Sequence, residues 1–387
     1  MNEEALLLFG GSVFDPVTGT TRRADVRIKG QVVDAIGDGL PTNDSKVIDV
    51  TGLLLTPGWV DLHTHVFFGQ DLGVDPVALG PPSGVTTMID TGSAGAHLFG
   101  AFVAASLNRN GPHVWNFLNV SSIGTTSIQL AGELKTLEYV DEAAAIACAR
   151  ANPERIIGIK ARVSADVCGA NAPEVLRRSR AIADELDLPL MLHVGPPPLK
   201  LPEVLALLSA GDIVTHAFTA LAEPPLAANG HVLAEVLAAR DRGVLFDVGH
   251  GMSGFDAVVA RNAIAAGFLP DTISTDAHAY SIGSVHGLPT VVNKFLALGL
   301  TLPEVLSRVT LAPARAAGLD RLNIGQLVPG GPADVTAIRI IDKTTEFVDP
   351  QGNKFSGQSS VQVEMTIQGG SVVFDGKLPS LVQRTLG

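Results

Sequence analysis

The 387-residue chain has only two cysteines, Cys148 and Cys168, and no C-x-x-C pair. A disulfide framework is thereby excluded, both thiols read as ordinary packing, and a reducing cytoplasm is the expected compartment. Positive charge is scarce: 27 Lys and Arg face 39 Asp and Glu, a formal net charge of −12. Neither the electrostatic footprint of nucleic-acid binding nor a basic membrane-surface helix is present. No segment approaches the roughly 18 consecutive apolar residues of a membrane span. The opening Met1-Asn2-Glu3-Glu4 is acidic where a secretory leader would be basic. Charged residues are only 17% of the chain and hydrophobic ones 46%, which fits a sizeable buried core, in one large domain plus a smaller one.

Both ends of the chain read as short strands and turns. Residues 5–9, 24–28 and 32–36 at the start, and 334–338, 361–367 and 371–374 at the end, are apolar or alternating runs broken by glycine. Neither end is long enough to bury both faces of a sheet, so residues 1–56 and 326–387 are expected to build one small β-sandwich together. Between them, residues 57–325 alternate strands with helical segments, the pattern of parallel βα units. Eight strands can be counted, at 58–65, 86–90, 114–120, 156–160, 188–193, 212–216, 244–248 and 272–276. Helix candidates include 138–150, 172–186, 202–209, 231–242 and 256–266. Eight such units in about 270 residues match an α/β fold of the (β/α)8 TIM-barrel type.

The barrel gives the histidines a meaning. In the run Gly58-Trp59-Val60-Asp61-Leu62-His63-Thr64-His65, residues 63 and 65 project from the same face of one strand. Two imidazoles converging from a rigid strand are half of a metal site, although an isolated H-x-H is more often a pair of satisfied polar residues. Active sites of such barrels lie at the C-terminal strand ends. Five of the eight strands end there in a metal-capable or titratable group: His63 with His65, Lys160, His193, His216 and Asp276. His97, His113, His231 and His286 read as structural.

This order of residues resembles the binuclear branch of the amidohydrolase superfamily, and within it the amidohydrolase/deacetylase subgroup often labelled dihydroorotase-like. The likeness is carried by Pro57 through His65, Lys160, His193, His216 and Asp276, with support from 84–90, 158–162, 247–251 and 310–319. It implies two divalent metal ions, Zn²⁺ by donor type. His63, His65 and Asp276 would hold the more buried ion, His193 and His216 the outer one, and Lys160, as a carbamate formed with CO2, would bridge them. It further implies hydrolysis of an amide or ester of a small acylated acid by metal-bridged hydroxide, with Asp276 as the catalytic proton carrier. Arg162, His250, Gly251 and His278 are the expected substrate-binding residues, Arg162 either meeting a carboxylate or pairing within its loop. A cyclic amidohydrolase of dihydroorotase or hydantoinase type is the alternative. Against dihydroorotase itself, Phe67 stands where those enzymes place an arginine. Against a mononuclear deaminase, Lys160 is present and no Glu lies close to His193 or His216. Against a metal-free assembly protein, no ligand is missing. The expected partner is a small-molecule substrate, with no nucleic acid or membrane involved, and self-association into a homo-oligomer is expected.

Overall fold

A computed structural model of the protein describes residues 5–377. Its central feature is a parallel sheet of seven strands, in sequence order around the curl: Trp59–Thr64, Val85–Gly95, His113–Asn119, Ile156–Arg162, Leu190–His193, Ile213–Thr215 and Leu245–Phe246. The eighth expected strand, 272–276, does not form a regular ladder. It is hydrogen-bonded on both sides nonetheless: Val248, His250 and Gly251 donate backbone N–H groups to Thr272, Ser274 and Thr275, while Asp276 N–H reaches the His63 carbonyl. Single bridges, Asp247 to Thr272 and Thr64 to Ala277, complete the closure. The ladder is irregular because other acceptors take its donors. Thr275 N–H bonds the Asp61 carboxylate at 3.0 Å, Ile273 N–H bonds the Arg308 carbonyl, and Asp276 turns into the left-handed region at φ +49°.

Helices follow the expected segments with shifted ends. Glu142–Ala151 starts where the Asp141 side chain accepts from Ala144 N–H, and Ala257–Ala265 where Asp256 accepts from Val258 and Val259. Ala172–Leu186 buries Val175, Leu176, Ser179, Ile182 and Ala183, a stripe of helical period facing the sheet. Leu201–Leu205 and Ala234–Asp241 are shorter than the sequence suggests. Among the described residues, no helix is long and apolar enough to cross a membrane.

One apolar cluster joins Val60, Leu62, Ile89, Phe117, Ile157, Met191 and Ile213 of successive strands with Ala314, Leu319 and Ile324. Each such fully buried side chain contributes about 1.5–3 kcal/mol, so the strands that carry the site rest on a rigid base.

The chain ends form two further sheets. Val32–Gly37, Asp25–Lys29, Ala5–Phe9 and Ser45–Asp49 make one; Ser371–Asp375, Ser360–Gln368, Val335–Ile341, Leu54–Pro57, Ser12–Asp15 and Thr20–Arg23 make the other. A single core with Val26, Ile28, Leu55, Val335 and Ile367 lies between them. Residues 1–4 and 378–387, counted with this region in the sequence reading, lie outside the described residues. Gly58 separates Leu54–Pro57 from the first barrel strand, and the crossing is tight: a Cβ there would sit 2.1 Å from Thr86 Oγ1.

Candidate functional site

Six of the sequence-selected residues come together at the C-terminal strand ends. His63 and His65, both buried, each place Nε2 at 3.3 Å from Asp276 Oδ1. Lys160, 1% exposed, brings Nζ to 3.4 Å from His63 Nε2 and 3.6 Å from Met191 Sδ. The His216 ring lies 5.1 Å from that of His63 and 4.5 Å from that of His193. His63, His216 and Asp276 offer ligand atoms within 4.8 Å of one another, a group able to hold a metal ion. Both His216 and Asp276 reach these positions from left-handed backbone, φ +62° and +49°, a conformation that non-glycine residues seldom adopt and that clusters at functional sites.

Buried partners behind the histidines decide which ring nitrogen carries the proton. Thr215 Oγ1 donates to Asp247 Oδ2 at 2.8 Å, so its oxygen accepts from His63 Nδ1 at 2.8 Å. His216 Nδ1 donates to the Gly249 carbonyl at 2.7 Å. Both tautomers therefore carry a lone pair on Nε2, as assigned from the hydrogen-bond network. For His63 that lone pair confronts the Asp276 carboxylate, which can only accept. Two acceptors held at 3.3 Å with no proton between them repel each other unless a cation, the neighbouring Lys160 ammonium or a metal ion, is shared. The donor set thus fits a metal ion. His65 Nδ1 is held by Ser93 Oγ at 2.9 Å, and Ser93 N–H by Asp90. Asp247 accepts further bonds from Thr272 and Ser274, and Asp61 takes both the N–H and the hydroxyl of Thr275, next to Asp276.

Burial sets the electrostatics. It lowers Lys160 to a pKa of about 7, with Asp276 opposing, so a large neutral fraction exists near pH 7. It holds His63 and His193 well below the usual histidine value and brings His216 and His278 to about 4. Burial pushes Asp276 upward, but His63, His65, His278 and His216 outweigh it and keep the carboxyl well below its ordinary value. These four imidazoles thus stand neutral and Asp276 ionised, the states in which such groups can serve as ligands.

A cavity of about 320 Å³ opens onto this cluster, lined by His63, His65, Lys160, His193, His216 and Asp276, with Ile128, Val194, Leu221 and Met252 as apolar walls. Arg162 and His278 line it as well. Arg162 Nη1 bonds the buried Glu133 at 3.0 Å, so pairing within its surroundings and exposure to the cavity hold together. His250 and Gly251 are not among the lining residues. The His250 ring is stacked on Phe255 and held at Nε2 by Lys294, which turns it away from the cavity. Gly251 instead packs against Asp276, where a Cβ would come within 2.2 Å of Oδ2. Phe67 is buried against Phe102 and likewise does not line the cavity. His97 and His231 do not line it, and Cys168 is a buried thiol donating to the Arg162 carbonyl. A larger cavity, about 500 Å³, lies elsewhere and has no histidine in its wall; its Arg180 is already paired with Asp212.

Sequence reasoning missed Thr215, Ser93, Asp61, Glu133 and Lys294. Of these only Asp61, two residues before His63, carried a local signal; Asp247, also given no role, lies three residues before the glycine-flanked His250.

Comparison with known proteins places these features in context. The model of the amidohydrolase family matches residues 54–373. A deacetylase of Agrobacterium fabrum is 34% identical over 327 residues, covering 83% of this chain and 79% of that protein. A deacetylase of Enterococcus faecalis is 31% identical over 90% of this chain and 94% of its own length. Among solved structures, an adenine deaminase superposes with a TM-score of 0.89 at 29% identity, covering 96% of this chain and 99% of that one. A dihydroorotase does so with 0.87 at 30% identity, covering 96% and 98%.

Proposed function

This chain belongs to the amidohydrolase family, and on that premise we propose that it is a metal-dependent hydrolase that removes a small acyl group from an amide or ester of a compact acid. The observation that carries the reading is the convergence of lone pairs from His63 and His216 on the ionised Asp276, fixed by Thr215, Asp247 and Gly249. The deacetylase names of the relatives support the acyl-removing chemistry. The same reading takes residues 1–56 with 326–387 as a β-sandwich and 57–325 as the barrel.

His63, His65 and Asp276 would hold one divalent ion and His193 with His216 a second. Lys160 would serve both as a carbamate, since its neutral amine is the form that adds CO2 and the adduct offers two oxygens. When bound, such ions polarise the acyl carbonyl and lower the pKa of the attacking water. Asp276 accepts the proton released during attack and returns it to the leaving nitrogen or oxygen. Arg162, with Nη1 engaged by Glu133, keeps its remaining N–H donors for a carboxylate of the substrate. His278 is neutral near pH 7 and walls the cavity beside His65. Ile128, Val194, Leu221 and Met252 supply apolar contact for the rest of a small substrate.

The dihydroorotase-type reading rests on the 0.87 superposition. Against it, Phe67, buried against Phe102, stands at the position where that reading expects an arginine. The test combines metal analysis with a substrate screen. Protein grown with zinc and bicarbonate should carry two equivalents of metal and hydrolyse members of a panel of N-acyl amino acids and acylated hydroxy acids. One equivalent or none, or an inert panel, would count against it.

A further inference from the structure

Lys294 sits outside the cavity, yet it is one of the most deeply buried cations in the chain, 3% exposed. Its helix, Leu288–Ala297, is clamped to the strand Ser360–Gln368: Asn293 donates to the Val361 carbonyl at 3.0 Å and accepts Val361 N–H at 2.7 Å. The next residue, Lys294, brings Nζ to 2.9 Å from His250 Nε2. Burying an ammonium without a carboxylate partner is costly. Among the described residues no ion pair is formed by Lys294, and His250 is its hydrogen-bond partner.

The chemistry of the pair has one solution. Burial lowers Lys294 to a pKa of about 8, so it remains protonated at pH 7, and an ammonium has donors but no acceptor. His250 Nε2 must then be the lone pair, and its ring proton lies on Nδ1, facing the Gly251 carbonyl at 3.0 Å. Phe255, stacked on the ring at 4.8 Å, prevents it from swinging aside. The backbone so pinned is the turn Gly249-His250-Gly251, left-handed at both glycines, φ +49° and +48°. That turn touches the site twice. The Gly249 carbonyl sets the His216 tautomer, and Gly251 abuts the Asp276 carboxylate.

We infer that Lys294 is a positioning residue of the hydrolase: by donating to His250 it fixes the 249–251 turn, and through that turn the orientation of His216 and Asp276. The inference rests on the proposed function for its kinetic consequence but not for its structural one. It gives the His250 that the sequence offered as a substrate contact a different role, as the middle of a relay from the Leu288–Ala297 helix to the site.

The test is direct observation of the His250 tautomer. Zinc-loaded protein labelled with ¹⁵N-histidine is examined by long-range ¹H–¹⁵N correlation, with His250→Gln supplying the assignment. Wild-type protein should show the proton on Nδ1. Lys294→Met, which keeps length and removes the donor, should leave the proton on Nδ1 with the Gly251 carbonyl, move the Nε2 resonance downfield to that of an unbonded lone pair, and lower kcat about tenfold with the metal content unchanged, in line with the loss typical of supporting groups behind metal ligands. A wild-type proton on Nε2 overturns the inference without any variant being needed. So does a Met variant with the wild-type Nε2 shift or with wild-type kcat. If no acyl substrate is turned over by the wild type, the function reading fails while the tautomer result still decides this one.

Discussion

Thr215→Val isolates the argument on which the metal site rests. The substitution keeps the side-chain shape and removes the hydroxyl standing between His63 Nδ1 and Asp247, 2.8 Å from each. Asp247 keeps its bonds from Thr272 and Ser274, so no buried carboxylate is stranded. His63 is the group affected. Its Nδ1 then has Asp247 Oδ2 at 3.7 Å, beyond hydrogen-bond range. One outcome leaves a buried N–H unsatisfied, at about 1–3 kcal/mol. The other transfers the proton to Nε2, where Asp276 Oδ1 at 3.3 Å accepts it and the lone pair is lost to the metal. Both weaken metal binding. The expected loss is about 10–100-fold in affinity, or about 1.4–2.8 kcal/mol, the same range as the unsatisfied N–H. Competition against a chromogenic chelator measures it directly, and urea unfolding of the metal-free chain separates the branches, since only the first destabilises the apoprotein. A Val variant that binds metal within about twofold of wild type would refute the tautomer argument.

Four further outcomes are expected. Asp276→Asn should retain most of the metal and lose about 10²–10⁴-fold in turnover; near-normal turnover with full metal would make Asp276 a ligand alone and move the proton to His278. Lys160→Ala should lower metal occupancy, and short carboxylic acids added back should partly restore it; failure of both would leave Lys160 a structural residue. Folding also lowers the Lys160 pKa from 10.5 to about 7, so between these values the unfolded chain binds the proton and the folded one does not. Metal-free stability should therefore rise with pH across that window by up to about 1.4 kcal/mol per unit, a rise that urea titrations should find flattened in Lys160→Met. Dihydroorotate should be turned over far below the usual range of about 1–10³ per second, because Phe67 stands where those enzymes place the arginine that meets its carboxylate and Arg162 is already tied to Glu133; a rate inside that range would reverse the choice between the two hydrolytic readings.

What the sequence made legible follows from how local each signal was. The barrel strands announced themselves as short apolar runs, and His63, His65, Lys160, His193, His216 and Asp276 stood at their ends, where position alone gave them meaning. The 272–276 segment was recognisable as the eighth member but not as an irregular one, because its departure depends on Asp61 and Arg308, distant in sequence, capturing its donors. Thr20–Arg23 escaped notice because all four residues are exposed and carry no alternation. Thr215 could not be found at all: an ordinary β-branched residue in a strand becomes decisive only through an Asp 32 positions on. His250 was drawn toward the substrate by its place on the correct rim of the barrel, and only the packing of Phe255 and Lys294 reveals the direction of its ring.

The strand Leu54–Pro57 has a consequence for how the protein is made. It leads directly into Trp59–Thr64, whose Trp59 Nε1 is anchored on Thr56 Oγ1, and its partner across the sheet is Val335–Ile341. Thr56 and Thr336 are 280 residues apart. At about 5–20 residues per second a ribosome needs roughly 14 to 56 s to cover that distance. Throughout that interval the Leu54–Pro57 edge lacks its C-terminal neighbour while the strand of His63 beside it is already emerging. An unpaired edge is a template for pairing with other chains. A chain cut before Val335 is therefore expected to aggregate rather than persist as a smaller barrel, which sedimentation of the expressed fragment would check.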